Sequence, residues 1–211
     1  MMLPSGNDAA FALAEYFGEI LKSKKYTGNQ DNTMFTNFQS SPFALHPTLK
    51  YFLKEMNNNA SKLKMNDTHY DSPHGLKNSR NFATAYDICL LVTECMKMPN
   101  FWEVVSTPYY ETKSLGNDIA SRNGHPSKKP TIYQWETTNK LLGHLDGLYG
   151  CKTGITTAAG PCFAGYYEKD DMKLALILCH SKSMEIRWQE IQKMIHWISA
   201  AMWYYKESLY R

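Results

Sequence analysis

Nothing in the chain constrains its fold more than the run from Gly150 to Cys179. Gly150 to Gly160 reads as a strand, a tight Gly-rich turn and the start of a second strand. Cys162-Phe163-Ala164-Gly165-Tyr166-Tyr167 continues the hairpin, Glu168-Lys169-Asp170-Asp171 turns the chain, and Met172 to Cys179 returns as a nearly continuous apolar run. Three short strands bounded by Gly and Asp clusters make an antiparallel meander. Lys152-Thr153-Gly154 on its first strand sets a cation and a hydroxyl beside an open backbone edge. Gly154 brings no side chain, so a second backbone can approach there. Such an edge suits a ligand carrying a carboxylate and a peptide-like amide.

Helical periodicity dominates ahead of the meander. Asn7 or Asp8 caps a first helix whose apolar stripe is Phe11, Ala14, Phe17 and Leu21, with Asp8 serving the helix start electrostatically. From Ser23 to Pro47 periodicity is lost, and polar residues interrupted by Phe35, Phe38 and Phe43 read as a surface insertion with aromatics suited to docking. A second helix is expected over about Thr48 to Leu63, with Leu49, Phe52, Leu53, Met56 and Ala60 on one face. A third begins at a Thr84 cap, with Asp87 in its first turn and Ile88, Leu91, Val92, Cys95 and Met96 facing inward. Phe101 to Ser106 is a short helix, and Thr107 to Trp135 is loop or edge strand. After the meander, Ser183 to about Tyr204 is helical through Ile191, Met194, Ile195, Ile198 and Met202. An aromatic tail over 203–211 follows. Helices, then strands, then a covering helix define an α+β chain with a helical lobe beside an antiparallel sheet. The 211 residues are expected to form one domain, helical over 1–105, with the meander and its helix in 138–202.

Composition excludes several function classes. The net charge of +3 is too slight to track phosphates, and no basic stripe exists, so nucleic acid is not expected. No apolar run reaches the roughly eighteen residues of a membrane span. The first residues, Met1 to Asn7, lack the charged and apolar regions of a signal peptide. Cys89, Cys95, Cys151, Cys162 and Cys179 are scattered without metal-ligand spacing and read as free thiols; no metal or other cofactor is expected. His74 reads as ordering a loop, and His144, His180 and His196 are given no ligand role.

Five segments carry a resemblance when taken together: Met2 to Ala10 with Ser5-Gly6-Asn7, Pro73-His74-Gly75-Leu76, Ala83 to Asp87, Thr138 to Leu142, and Lys152-Thr153-Gly154. In this order the chain resembles the serine-type D-alanyl-D-alanine carboxypeptidases, the low-molecular-weight penicillin-binding proteins with a β-lactamase-like fold. The resemblance spans most of the chain except the Ser23–Pro47 insertion and the aromatic tail. It implies acyl transfer on a D-Ala-D-Ala peptide end through Ser-x-x-Lys, Ser-x-Asn and Lys-Thr-Gly. Ser5 would relay a proton toward the leaving amine, and Asn7 would bind the substrate's peptide carbonyl. Lys152 would add positive charge, Thr153 would bind the substrate carboxylate, and Gly154 would leave the strand edge open. The Ile155 N–H would supply an oxyanion donor, usually worth about 3 kcal/mol. The substrate would pair along the edge as an added strand.

The family's Ser-x-x-Lys precedes Ser-Gly-Asn. Here the pattern occurs at Ser61-Lys62-Leu63-Lys64, which reads as a solvated helix end. The expectation is therefore a domain whose first strands and nucleophile helix lie outside this chain. Without the nucleophile, turnover would fall about a million-fold, roughly 8 kcal/mol of barrier. A truncated reading of the gene, a second chain supplying the missing segment, or a non-catalytic structural subunit within a larger protein complex each fit. The family's location is exported, whereas no signal precedes Ser5, so the compartment stays open.

Overall fold

The computed structural model describes residues 1–26, 46–76, 78–114 and 130–209. The Phe35, Phe38 and Phe43 expected to dock, and Tyr210 of the aromatic end, lie outside the described residues.

Helix α1 spans Asn7–Tyr26 and α2 spans Leu49–Lys62. The buried side of α1 is Ala10, Ala14 and Gly18, whereas Phe17 is 45% exposed. This corrects the expected stripe of large residues. At Gly18 a Cβ would lie 2.5 Å from the Thr48 carbonyl oxygen, so the two helices meet backbone to backbone over small residues. The helix also runs to Tyr26, four residues into the stretch expected to be an insertion from Ser23. On α2, Leu49, Leu53 and Ala60 are buried, as its periodicity predicts.

Helix α3, Ala85–Cys95, starts where expected: Thr84 is extended and its hydroxyl accepts from the Asp87 N–H at 3.1 Å. Asp87 does more than the sequence suggests. Its buried carboxylate also accepts from the Asp67 N–H at 2.9 Å and the Thr68 hydroxyl at 2.7 Å, tying the connection after α2 to the start of α3. Helix α4, Pro99–Val105, opens with proline in its first turn, where the missing N–H costs nothing.

Strands β1, Tyr109–Lys113, and β2, Ile132–Glu136, pair antiparallel as a separate two-stranded ribbon. It takes the place of the loop or edge strand expected there. The meander forms as expected, from β3 (Leu148–Thr156), β4 (Gly160–Lys169) and β5 (Met172–Leu178) in the order β3-β4-β5. Helix α5, Met184–Leu209, covers it and continues through the aromatic end, which is helix rather than a separate tail.

The sheet is the middle of three layers. On one face Leu148, Phe163, Tyr167 and Leu176 pack against Trp188, Ile191 and Ile195 of α5. On the other, Tyr149, Ala164, Tyr166, Ala175 and Ile177 meet Val92 and Met96 of α3 and Val105, Phe101 and Trp102 of α4. Each buried Phe, Leu or Ile contributes about 1.5–3 kcal/mol. The two filled faces hold β3 in place, and β3 carries Lys152. Among the described residues no helix is long and apolar enough to cross a membrane.

Candidate active site

The site begins with a fault in β3. Gly150 pairs with Gly165 and Lys152 with Ala164, which leaves Cys151 as an extra residue. Side chains alternate between faces along a regular strand, and a bulge shifts that alternation by one. Cys151 packs with the α3 and α4 side, and so does Ala164, the partner of Lys152. Cys151 and Lys152 thus share the face of the helical lobe. Were Cys151 paired in regular register with Ala164, Lys152 would sit opposite Phe163 in the core beneath α5.

Aimed this way, Lys152 Nζ donates to Ser5 Oγ at 2.6 Å, and also to the Thr153 carbonyl. Ser5 lies in the turn before α1, held to the sheet side by the Thr138 N–H donating to the Leu3 carbonyl at 3.2 Å. Its φ is +61°, a left-handed conformation uncommon for serine and characteristic of functional turns. Ser5-Gly6-Asn7 and Lys152-Thr153-Gly154, far apart in sequence, are thus brought together. Asn7 opens α1, is exposed, and borders the same crevice.

Thr153 points the other way from Lys152. It is buried, and its hydroxyl shares a 2.6 Å hydrogen bond with the Thr138 hydroxyl. Gly154 is exposed, and a Cβ there would meet no atom of the described residues within 4 Å. Ile155 beside it is 58% exposed. This end of the β3 edge is therefore clear for another backbone.

Burial, and then the charge of Arg187, push the Lys152 ammonium below its ordinary value. Arg187 belongs to the site although sequence reasoning passed over it. It is buried in α5 and donates to the Cys162 carbonyl at 3.1 Å and the Gly154 carbonyl at 3.4 Å, stapling β3 and β4 from beneath. Its signal was its register: Arg187 precedes Ile191 and Ile195 by one and two helical turns, a cation on the core-facing stripe. Such a charge is kept buried only with partners.

The crevice between Ser5, Lys152 and the lobe has a volume of about 270 Å³ and is also bordered by Met56, Tyr70, Ser72 and His74. The Tyr70 hydroxyl is buried without a hydrogen-bond partner among the described residues. His74 Nδ1 accepts from the Leu76 N–H at 3.1 Å, which orders the loop as expected. Burial lowers the pKa of His74. Ser61 and Lys62 are exposed at the end of α2, where Lys62 pairs with Glu55 at 3.6 Å, and Lys64 sits just beyond at φ +59°. None of them borders the crevice. Asp8 accepts from the Ala9 N–H in the first turn of α1. Among the described residues no group of three or more His, Cys, Asp or Glu could hold a metal.

Chemically, the arrangement joins a cation of lowered basicity to a serine hydroxyl, beside an open strand edge. It can pass a proton and hold an anionic, peptide-like ligand.

Comparison with known proteins places these features in a family. Residues 47–183 match a family described as D-alanyl-D-alanine carboxypeptidase (Peptidase_S11). The D-alanyl-D-alanine carboxypeptidase of Streptomyces sp. K15 is 31% identical over 162 residues, covering 77% of this chain and 45% of that protein. The carboxypeptidase DacD of Escherichia coli K12 is 27% identical over 93% of this chain and 39% of its own length. The chain thus spans about two-fifths of the length of these curated relatives. Among solved structures, the Streptomyces K15 DD-transpeptidase superimposes with a TM-score of 0.71 at 27% identity, over 94% of this chain and 64% of that one. Penicillin-binding protein D2 of Listeria monocytogenes, in its cefotaxime-bound form, gives 0.63 at 28% identity over 93% and 62%.

Proposed function

The chain belongs to the D-alanyl-D-alanine carboxypeptidase family, and on that premise we propose that it supplies all but the nucleophile of a serine-type acyl-transfer site. The observation that carries this reading is the 2.6 Å contact between Lys152 Nζ and Ser5 Oγ at the rim of the crevice. An amine whose basicity is lowered by burial loses and regains a proton readily, and Ser5 extends its reach toward a leaving amine. Asn7 orients the scissile amide. Thr153, with its Thr138 partner, and the Arg187 charge beneath Gly154 favour a terminal carboxylate. The Ile155 N–H polarises the attacked carbonyl, and the peptide runs along the bare edge at Gly154.

In this reading the attacking serine enters the crevice from a segment outside these 211 residues. Its support is the position of Ser61, on the exposed end of α2 and away from Lys152. The unpartnered Tyr70 hydroxyl agrees, since a segment filling the crevice would give it a partner. A non-catalytic structural role draws instead on the exposed aromatic end of α5.

A labelled penicillin distinguishes the two. The native assembly is expected to take up label on a serine that is not part of this chain, while the chain alone stays unlabelled. Acylation of the isolated chain would disprove the division of the site, and an unlabelled but folded assembly would favour the structural role.

A further inference from the structure

Two thiols outside the proposed site face each other behind it. Cys162 lies near the start of β4, and Cys179 follows the last residue of β5. Backbone pairing brackets them on both sides: Phe163 opposes Leu178, and beyond the cysteines the Ser181 N–H donates to the Pro161 carbonyl at 2.9 Å. His180, at φ +56°, takes up the irregularity between those two pairings. The cysteine side chains are thereby set opposite one another, and the Cys162 thiol donates to the Ala159 carbonyl at 3.5 Å and the Gly160 carbonyl at 3.7 Å. Directly opposed residues on antiparallel strands hold their Cβ atoms about 4.5–5.5 Å apart, and a disulfide needs roughly 3.5–4.5 Å, so a small closing movement suffices.

The remaining thiols differ. Cys95 and Cys151 also lie near each other, but burial pushes the Cys151 thiol up to about 12, which leaves almost none of the reactive thiolate. Cys89 on α3 neighbours Cys179 and is turned toward the Ala175 carbonyl at 3.8 Å. Burial, and then the neighbouring Cys162, raise the Cys179 thiol as well, so the choice rests on geometry: Cys179 is exposed and Cys162 half-buried, the arrangement of an attacking thiol with a resolving partner behind it.

We propose that Cys162 and Cys179 form a dithiol pair that closes to a disulfide by exchange with a small-molecule disulfide. Cys179 releases its proton to solvent, and its thiolate attacks one sulfur of the small disulfide. That S–S bond breaks, one small thiol leaves, and a mixed disulfide remains on Cys179. The Cys162 thiolate then attacks the Cys179 sulfur and expels the second small thiol. Two protein thiols are oxidised and one disulfide is reduced to two thiols. Cys162 is also the register partner of Gly154, and Arg187 holds its carbonyl. A covalent tie here therefore fixes the strand that backs the open edge. The inference rests on the β4–β5 pairing and stands whether or not the crevice is catalytic.

The test treats the full chain with oxidised glutathione, blocks residual thiols and maps disulfide-linked peptides by mass spectrometry. The expected result is one Cys162–Cys179 link with a loss of two hydrogen masses, reversed by dithiothreitol. Cys162→Ser is expected to stop at a stable glutathione adduct on Cys179. Free thiols at both positions after treatment, a Cys89–Cys179 link, or glutathione retained on Cys179 in the unaltered chain would each overturn the proposal.

Discussion

At the scale of single residues, Lys152 is the cation at the crevice whose burial ties charge to stability. Its folded-state pKa lies below the ordinary 10.5, through burial first and Arg187 second. At pH values below that lowered pKa, both folded and unfolded chains carry the proton and the buried charge costs stability. Between the lowered pKa and about 10.5, only the unfolded chain holds it, so stability rises with pH across that window. Lys152→Met should flatten this rise, read as the pH dependence of the urea midpoint; an unchanged slope would show that Lys152 is better solvated than its surroundings suggest. That Ser5, Asn7 and Lys152 meet at one crevice, with Gly154 on the open edge, was legible in the sequence because these residues sit in contiguous tripeptides. Arg187 was not, because its partners Gly154 and Cys162 are distant in sequence and only the folded sheet brings their carbonyls together. Asp87 was half legible: its place in the first turn of α3 could be read locally, its bonds to Asp67 and Thr68 could not.

Among elements, the bulge in β3 matters most, because it selects the face on which Lys152 emerges. Deleting Cys151 closes the pairing up to Gly150–Gly165 and Lys152–Ala164, which removes the bulge and keeps Lys152 on the face of the helical lobe. The deletion should therefore keep penicillin capture in the native assembly, and so should Cys151→Ala, which loses only about 1–2 kcal/mol for the truncated side chain. Loss of capture in the deletion variant alone, by labelled-penicillin gel, with both variants folded by urea midpoint, would refute this reading of the register. The meander and helices α2 and α3 were readable because large apolar residues recur at the right period. The α1 stripe was misread because its contact with α2 needs small residues: Gly18 lies against the Thr48 backbone while Phe17 faces outward. The β1–β2 ribbon was legible only as loop or edge strand, because both of its faces are largely exposed and no apolar alternation marks it.

Taken as a whole, the molecule is a sheet sandwiched between α5 and a helical lobe, with apolar surface to spare at one end. Trp197, Trp203, Tyr204 and Tyr205 are between 64% and 74% exposed on the last turns of α5. Aromatic surface of that extent drives association. Replacing Trp203 and Tyr204 with lysine, a good helix former, should keep the helix and shift the isolated chain toward monomer in sedimentation velocity. A chain already monomeric before substitution would contradict this expectation. The empty space at Gly154 has a different consequence. Among the described residues nothing stands within 4 Å of the place where a methyl group would hang. Alanine could therefore enter without disturbing a single neighbour, yet it would obstruct any guest strand sliding past. Folding leaves this position free to vary, and under the proposed function glycine's advantage there is the room it leaves for a guest strand.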